Sequence, residues 1–240
     1  MAFSIRQRSR ALWKRWERSS RNPLGTIVSV RTSEPLVALT FDDGPDPEFT
    51  PALLEILARH GAKATFFMVG ERANTHWKVV KQVAAAGHTI GNHTADHPSL
   101  PTLSGRERRR QIRHCRAALG PHATDLFRPP FGHQTRASKL DAWFTGHQVV
   151  GWGSHVEDWT HQPAHVLASR LQSAFAPGRI VLLHDGICGG TDPAASDRTP
   201  MLGGLDRALS RALDFEFVTL PELFRRGTPH RANWVSGPLP

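Results

Sequence analysis

Five short polar motifs each close an apolar, strand-like run, and this restricts the chain to folds whose strand ends converge on one rim. In chain order they are Thr40-Phe41-Asp42-Asp43-Gly44-Pro45, Asn92-His93-Thr94-Ala95-Asp96-His97-Pro98, Phe127-Arg128-Pro129-Pro130-Phe131-Gly132, Asp158-Trp159 and Ile180-Val181-Leu182-Leu183-His184-Asp185. Strands are predicted at Leu36 to Phe41, Ala64 to Val69, His88 to Gly91, Asp125 to Arg128, Gln148 to Trp152, Arg179 to Leu183 and Phe215 to Leu220. Amphipathic helices are predicted between them, at Pro51 to Arg59, Trp77 to Ala86, Gly105 to Leu119, Ala164 to Phe175 and Leu202 to Leu213. Such alternation favours a parallel α/β architecture over a sandwich or a bundle. Periodicity alone fits a barrel lacking one unit and an open doubly wound sheet equally well. The motifs decide between them, because they follow the first, third, fourth, fifth and sixth strands in turn, whereas an open sheet gathers its reactive residues at one switch point. The expected fold is a distorted (β/α)7 barrel.

The chain has 240 residues, enough for one large core. Residues 31–226 are expected to form that domain, with a basic extension at 1–30 and a tail at 227–240. Cys115 and Cys188 stand far apart and form no C-x-x-C, which argues against a disulfide framework and a thiolate zinc site. From Met1 to Arg21 the chain is rich in arginine and lysine and never reaches the apolar run of a signal or a membrane span. A cytoplasmic protein is expected, peripheral at the inner membrane face if Ala11, Leu12, Trp13 and Trp16 share a helical face beside their basic neighbours. A frayed basic tail is the other reading.

The formal net charge is +9. Arg106, Arg108, Arg109, Arg110, Arg113 and Arg116 supply much of it and cover most of one helix's exposed surface, which reads as a solvated face with weak attraction to acidic polymers or lipids. No zinc-finger, RNA-recognition or helix-turn-helix signature accompanies the charge, so nucleic acid is not expected as a partner. Oligomeric state is not legible.

The motifs carry chemistry as well as topology. Asp42 and Asp43 stand where a buried strand meets the Gly44-Pro45 turn, so their side chains diverge, one free to bind metal and the other to face a bound water. His93 and His97 have the spacing that sets two rings on one side of a helical turn. With an upstream aspartate they make three ligands and leave an open position, the pattern of a catalytic zinc site. Pro129 and Pro130 stiffen the backbone after Arg128 and fix the direction of its guanidinium and of the Phe131 amide, which suits an oxyanion donor. His184 ends an apolar strand at the same rim, as a general acid would.

In order and identity these motifs resemble the polysaccharide deacetylases, the NodB-homology or carbohydrate esterase family four, nearest to the cytoplasmic chitooligosaccharide deacetylase type. The resemblance runs from about Pro35 to Leu220. It implies a metal-dependent hydrolase that removes N-linked or O-linked acetyl groups from an N-acetylated oligosaccharide or glycan precursor. It also implies roles: Asp42 as base, Asp43, His93 and His97 as ligands of a divalent ion, usually zinc, with cobalt, nickel or manganese acceptable. Arg128 matches the partner of the base, the Phe131 amide the oxyanion donor and His184 the acid. Asp158 belongs to the fourth motif, while Pro130, Trp159 and Leu182 fall on the substrate wall.

One position departs from the family pattern. His155 stands where an aspartate is expected three residues before Asp158, and loss of that carboxylate is expected to lower the pKa of His184 unless Asp158, Glu157 or Asp185 compensates. Two other functions follow from the alternatives: a deformylase or amidohydrolase acting on a non-glycan amide, and a catalytically weakened glycan-binding relative. The sugar is not identified, because loops set it and Ala73 to His76, Ser99 to Ser104 and Ile187 to Pro200 carry no decisive signature.

Overall fold

The computed structural model describes residues 24–189 and 192–236. The amphipathic face expected around Trp13 and Trp16 lies outside them. Ten strands are present among the described residues: β1 (Thr26–Arg31), β2 (Leu36–Asp42), β3 (Ala64–Met68), β4 (Thr89–Asn92), β5 (Ala123–Phe127), β6 (Gln148–Val149), β7 (Ser154–His155), β8 (Arg179–His184), β9 (Glu216–Phe217) and β10 (Thr228–Ala232). The helices are α1 (Phe49–Arg59), α2 (Gly70–Thr75), α3 (Trp77–Ala85), α4 (Gly105–Leu119), α5 (Arg136–Phe144), α6 (Ala164–Ala174), α7 (Thr199–Leu209) and α8 (Leu220–Arg225).

The order β8-β2-β3-β4-β5-β6 is parallel throughout. One stretch of chain closes it into a distorted barrel. Val150 N–H donates to Phe127 O, Gly151 N–H to Ile27 O and Gly153 N–H to Ile180 O, after which β7 pairs in parallel with β8. Residues 148–155 therefore leave the edge of β5 and arrive at the edge of β8. The seventh predicted strand is reduced to β9, which pairs only with Leu36 and Val37 at the start of β2.

Period-two alternation builds both layers. Val37, Leu39, Phe41, Phe66, Met68, Val181 and Leu183 face the helices and pack with Leu53, Val80, Leu171 and Leu205. Leu36, Ala38, Phe67, Leu126 and Ile180 face inward and join Ile27 and Val150 in a second apolar cluster. Continued along the same strands, the inward column reaches Thr40 and Asp42 on β2, Arg128 after β5, and Leu182 and His184 on β8. The polar rim thus stands on an apolar floor.

Strands β1, β7 and β10 and helices α2, α5 and α8 fall outside the sequence expectations. β1 pairs antiparallel with β10, so the boundaries expected at residues 30 and 227 meet a strand on each side. Helix α5 occupies a segment for which no helix is predicted, and of its apolar residues only the small Ala142 joins the core, with Ile112, Phe127 and Val149.

Candidate active site

Asp42 is the last residue of β2, and Asp43 follows in the left-handed region at φ 73°. That turn swings Asp43 away from the inward column and lets both carboxylates reach one pocket. Gly44 is required beside them, since a Cβ there would lie 2.2 Å from Asp185 Oδ2.

His93 and His97 converge by a route other than the helical turn expected from their spacing. The backbone from His93 to Pro98 is irregular, with Thr94 at φ 70° and His97 at φ 62°. Neighbouring elements fix it: Gly70 N–H donates to Thr94 O, Glu71 N–H to Ala95 O, and the Ala95 and Asp96 amides donate to Gln111 Oε1 on α4. Strained conformations persist where surroundings over-determine them, as here. The result places His93 Nε2 3.3 Å and His97 Nε2 3.0 Å from Asp43 Oδ1.

These three buried residues are the one group of histidine, cysteine, aspartate and glutamate among the described residues whose ligand atoms converge within 4.8 Å. His93 Nδ1 pairs with Arg128 O at 2.8 Å, which leaves Nε2 to face the cluster. Burial pushes the Asp43 pKa up, but the hydrogen bonds from His93 and His97 outweigh it and hold the carboxyl well below the usual range. Two imidazoles and an ionised carboxylate fit a divalent cation of the zinc class. The Cys188 amide donates to Asp43 Oδ2 at 2.7 Å, whereas burial and the Asp43 charge push the Cys188 thiol up to about 12. Its sulfur is not among the ligand atoms that converge.

Asp42 is held from behind. Arg128, fully buried, donates from Nη1 to Asp42 Oδ1 at 2.7 Å and Thr40 Oγ1 at 2.8 Å, and from Nη2 to Gly151 O at 2.8 Å. Its guanidinium lies 4.2 Å over the Phe67 ring. On the opposite wall, His184 Nδ1 lies 3.0 Å from Asp158 Oδ1, and the His184 amide donates to Asp158 Oδ2 at 2.8 Å. Burial lowers the pKa of His184, but Asp158, and then Asp43 and Asp42, outweigh it and raise it to about 9. The expected lowering is thus corrected. Asp158 compensates for the missing aspartate, while His155 is exposed and packs its ring 5.2 Å from that of Trp159.

A pocket of about 540 Å³ opens over these groups, lined by Asp42, Asp43, His93, His97 and His184 and walled by Trp152, Trp159, Leu182 and Phe131. Phe131 stands at φ 58° with its ring edge-on to His97. Pro130 is not brought to this wall. It is buried in the short turn that lifts Phe131, a correction that follows from the rigid Pro129-Pro130 backbone. Asp158 lies behind His184 and does not line the pocket either.

Sequence reasoning missed Arg198. It is 2% exposed and ion-paired to Asp158 Oδ2, with further bonds from Nη1 to Asp158 O at 2.7 Å and from Nε to His184 O at 3.1 Å. No short-range motif marks it, because its partners lie 14 and 40 residues away.

Residues 29–150 match the family model described as polysaccharide deacetylase. A peptidoglycan-N-acetylglucosamine deacetylase of Bacillus cereus is 34% identical over 87% of this chain and 97% of its own length. A chitooligosaccharide deacetylase of Sinorhizobium fredii is 32% identical over 83% and 96%. Among solved structures, the Bc1960 peptidoglycan N-acetylglucosamine deacetylase in complex with 4-naphthalen-1-yl-N-oxidanyl-benzamide superimposes with a TM-score of 0.76 at 31% identity, covering 87% of this chain and 100% of that one. No helix among the described residues is long and apolar enough to cross a membrane.

Proposed function

Since this chain belongs to the polysaccharide deacetylase family, we propose that it hydrolyses the acetamide of an N-acetylated glycan, such as a chitooligosaccharide or another N-acetylglucosamine polymer. The observation that carries the proposal is the convergence of three groups in one pocket: the Asp43–His93–His97 cluster, the Arg128-held Asp42 and the Asp158-held His184.

Each side chain then has a task. Trp159 and Leu182 receive the acetyl methyl against an apolar wall and keep water from that side. Asp42, oriented by Arg128, takes a proton from the attacking water as its oxygen bonds to the acetyl carbon. The Phe131 amide stabilises the negative charge that develops on the carbonyl oxygen. His184, protonated at neutral pH, donates to the amide nitrogen as the C–N bond breaks, so that the amine and acetate leave. Asp158 and Arg198 hold that imidazole in place. A divalent ion on Asp43, His93 and His97, zinc in this proposal, supplies Lewis acidity to the water and the carbonyl.

The proposal places the protein at the cytoplasmic face of the inner membrane. The anionic character of that leaflet, which attracts basic segments such as Met1 to Arg21, supports the placement. Cell fractionation tests it.

Acetate release from N-acetylated chitooligosaccharides, measured on zinc-loaded and chelator-stripped protein beside Asp42→Asn, tests the activity. Release that needs metal and falls at least about a hundredfold in the variant is expected. Stoichiometric bound metal without release would overturn the proposal, and would favour a weakened glycan-binding relative or a non-glycan amide as substrate.

A further inference from the structure

Helix α5 is inverted relative to an ordinary surface helix. Ser138, Lys139 and Asp141 are buried, while Leu140, Trp143 and Phe144 are 37%, 44% and 66% exposed. Arg136, Ala137, Leu140, Trp143 and Phe144 fall at i, i+1, i+4, i+7 and i+8, so they share one face, and that face is outward. The inner face packs only Ala142 into the core and is otherwise committed to polar bonds. Asp141 receives Arg108 Nε at 2.7 Å and the Arg109 guanidinium, and Lys139 Nζ donates to Trp234 O at 2.9 Å. Rotating the helix to bury Trp143 would break all of these. Three of the six large hydrophobic side chains exposed among the described residues therefore lie on this one helix of nine residues. A contiguous exposed apolar patch of this kind marks an interaction surface.

The neighbouring helix α4 says what covers it. Arg109 reaches Asp141, so the α4 stripe that continues from it, Arg113 and then Arg116, runs along the seam with α5. On that stripe Arg113 and Arg116 are exposed and form no ion pair among the described residues, and Arg106 and Arg110 add exposed positive charge to the same helix. An aromatic and leucine face beside a row of unpaired arginines fits one environment closely. It is the surface of an anionic bilayer, where the rings enter the headgroup boundary and the guanidinium groups meet lipid phosphates. We infer that the α4–α5 flank of the barrel docks on an anionic lipid surface, independently of the residues that precede residue 24. The inference goes beyond the proposed reaction and does not depend on it.

Vesicle flotation with the full chain tests this, using phosphatidylcholine alone and phosphatidylcholine with about one part in three phosphatidylglycerol. The parent is expected to float with the mixed vesicles and not with the neutral ones. Trp143→Ser with Phe144→Ser should lower that partition about tenfold. Arg113→Gln with Arg116→Gln should lower it about fivefold for each arginine lost. These residues are exposed, so both variants should keep the parent's melting temperature, and the arginine set stands if the aromatic pair fails to fold. Three results would overturn the inference: partition unchanged in both variants, partition abolished by Trp13→Ser with Trp16→Ser while the α5 variant binds like the parent, or a parent dimer in sedimentation equilibrium that the α5 substitutions dissociate.

Discussion

His184 sits between two sources of negative charge, Asp158 behind it at 3.0 Å and the Asp42 and Asp43 pair across the pocket. Its raised pKa keeps the imidazolium as the main form at neutral pH, and the proton is lost as pH rises through about 9. Asp158→Asn removes the largest raising influence, so the alkaline limb of the kcat/KM profile should move to lower pH, with kcat/KM at pH 7 falling at least about tenfold. His155→Asp should leave that limb nearly where it is, because Asp158 already holds the ring and His155 faces outward. A profile that moves with His155 and not with Asp158 would reverse the assignment. At this scale the convergence of Asp43, His93 and His97 was legible, since Asp43 and His93 stand directly after strands and His97 follows four residues on in the same loop. Arg198 and the Cys188 amide were not. They act through contacts with residues 14 to 145 positions away, and a linear pattern does not contain those contacts.

Among the elements, β8 and its entry turn bear the most. Gly178 at φ 73° accepts from Val30 N–H at 2.8 Å and donates to Leu36 O at 2.7 Å, so it stitches β1 and β2 to the start of β8. A Cβ there would lie 1.8 Å from Val30 O. Gly178→Ala should therefore destabilise by about 2 kcal/mol or more, read as a lower urea midpoint with an unchanged slope. Strands with continuous apolar runs were legible at the sequence level to within a residue or two. The β1–β10 pair was not, because Thr228-Pro229-His230-Arg231-Ala232 has neither apolar alternation nor a hairpin turn, and its partner lies at the other end of the chain. Helix α5 escaped for the opposite reason: its periodicity is present but reports an outward apolar face, and a reading that assumes inward burial passes over it.

For the molecule as a whole, the proposed cation site would couple to the barrel. The three buried candidate ligands stand just after β2 and in the loop after β4 and meet at one point, so an ion bound there would link two strands that β3 separates. Chelator treatment should lower the melting temperature by roughly 5–10 °C, and zinc at about a hundred times its dissociation constant should restore it. In Asp43→Asn the melting temperature should be indifferent to both treatments. A parent whose melting point ignores both chelator and zinc would overturn this coupling and the reading of the cluster as a cation site.

Arg128 joins the oxygen of Asp42 to the carbonyl of Gly151, the residue at which chain 148–155 crosses to close the barrel. One side chain therefore serves the seal and the reactive carboxylate at once. Replacing Arg128 would take both bonds away together, so a lineage losing activity is expected to keep Arg128 and to erode first at groups such as His97, whose ring makes no bond to chain 148–155.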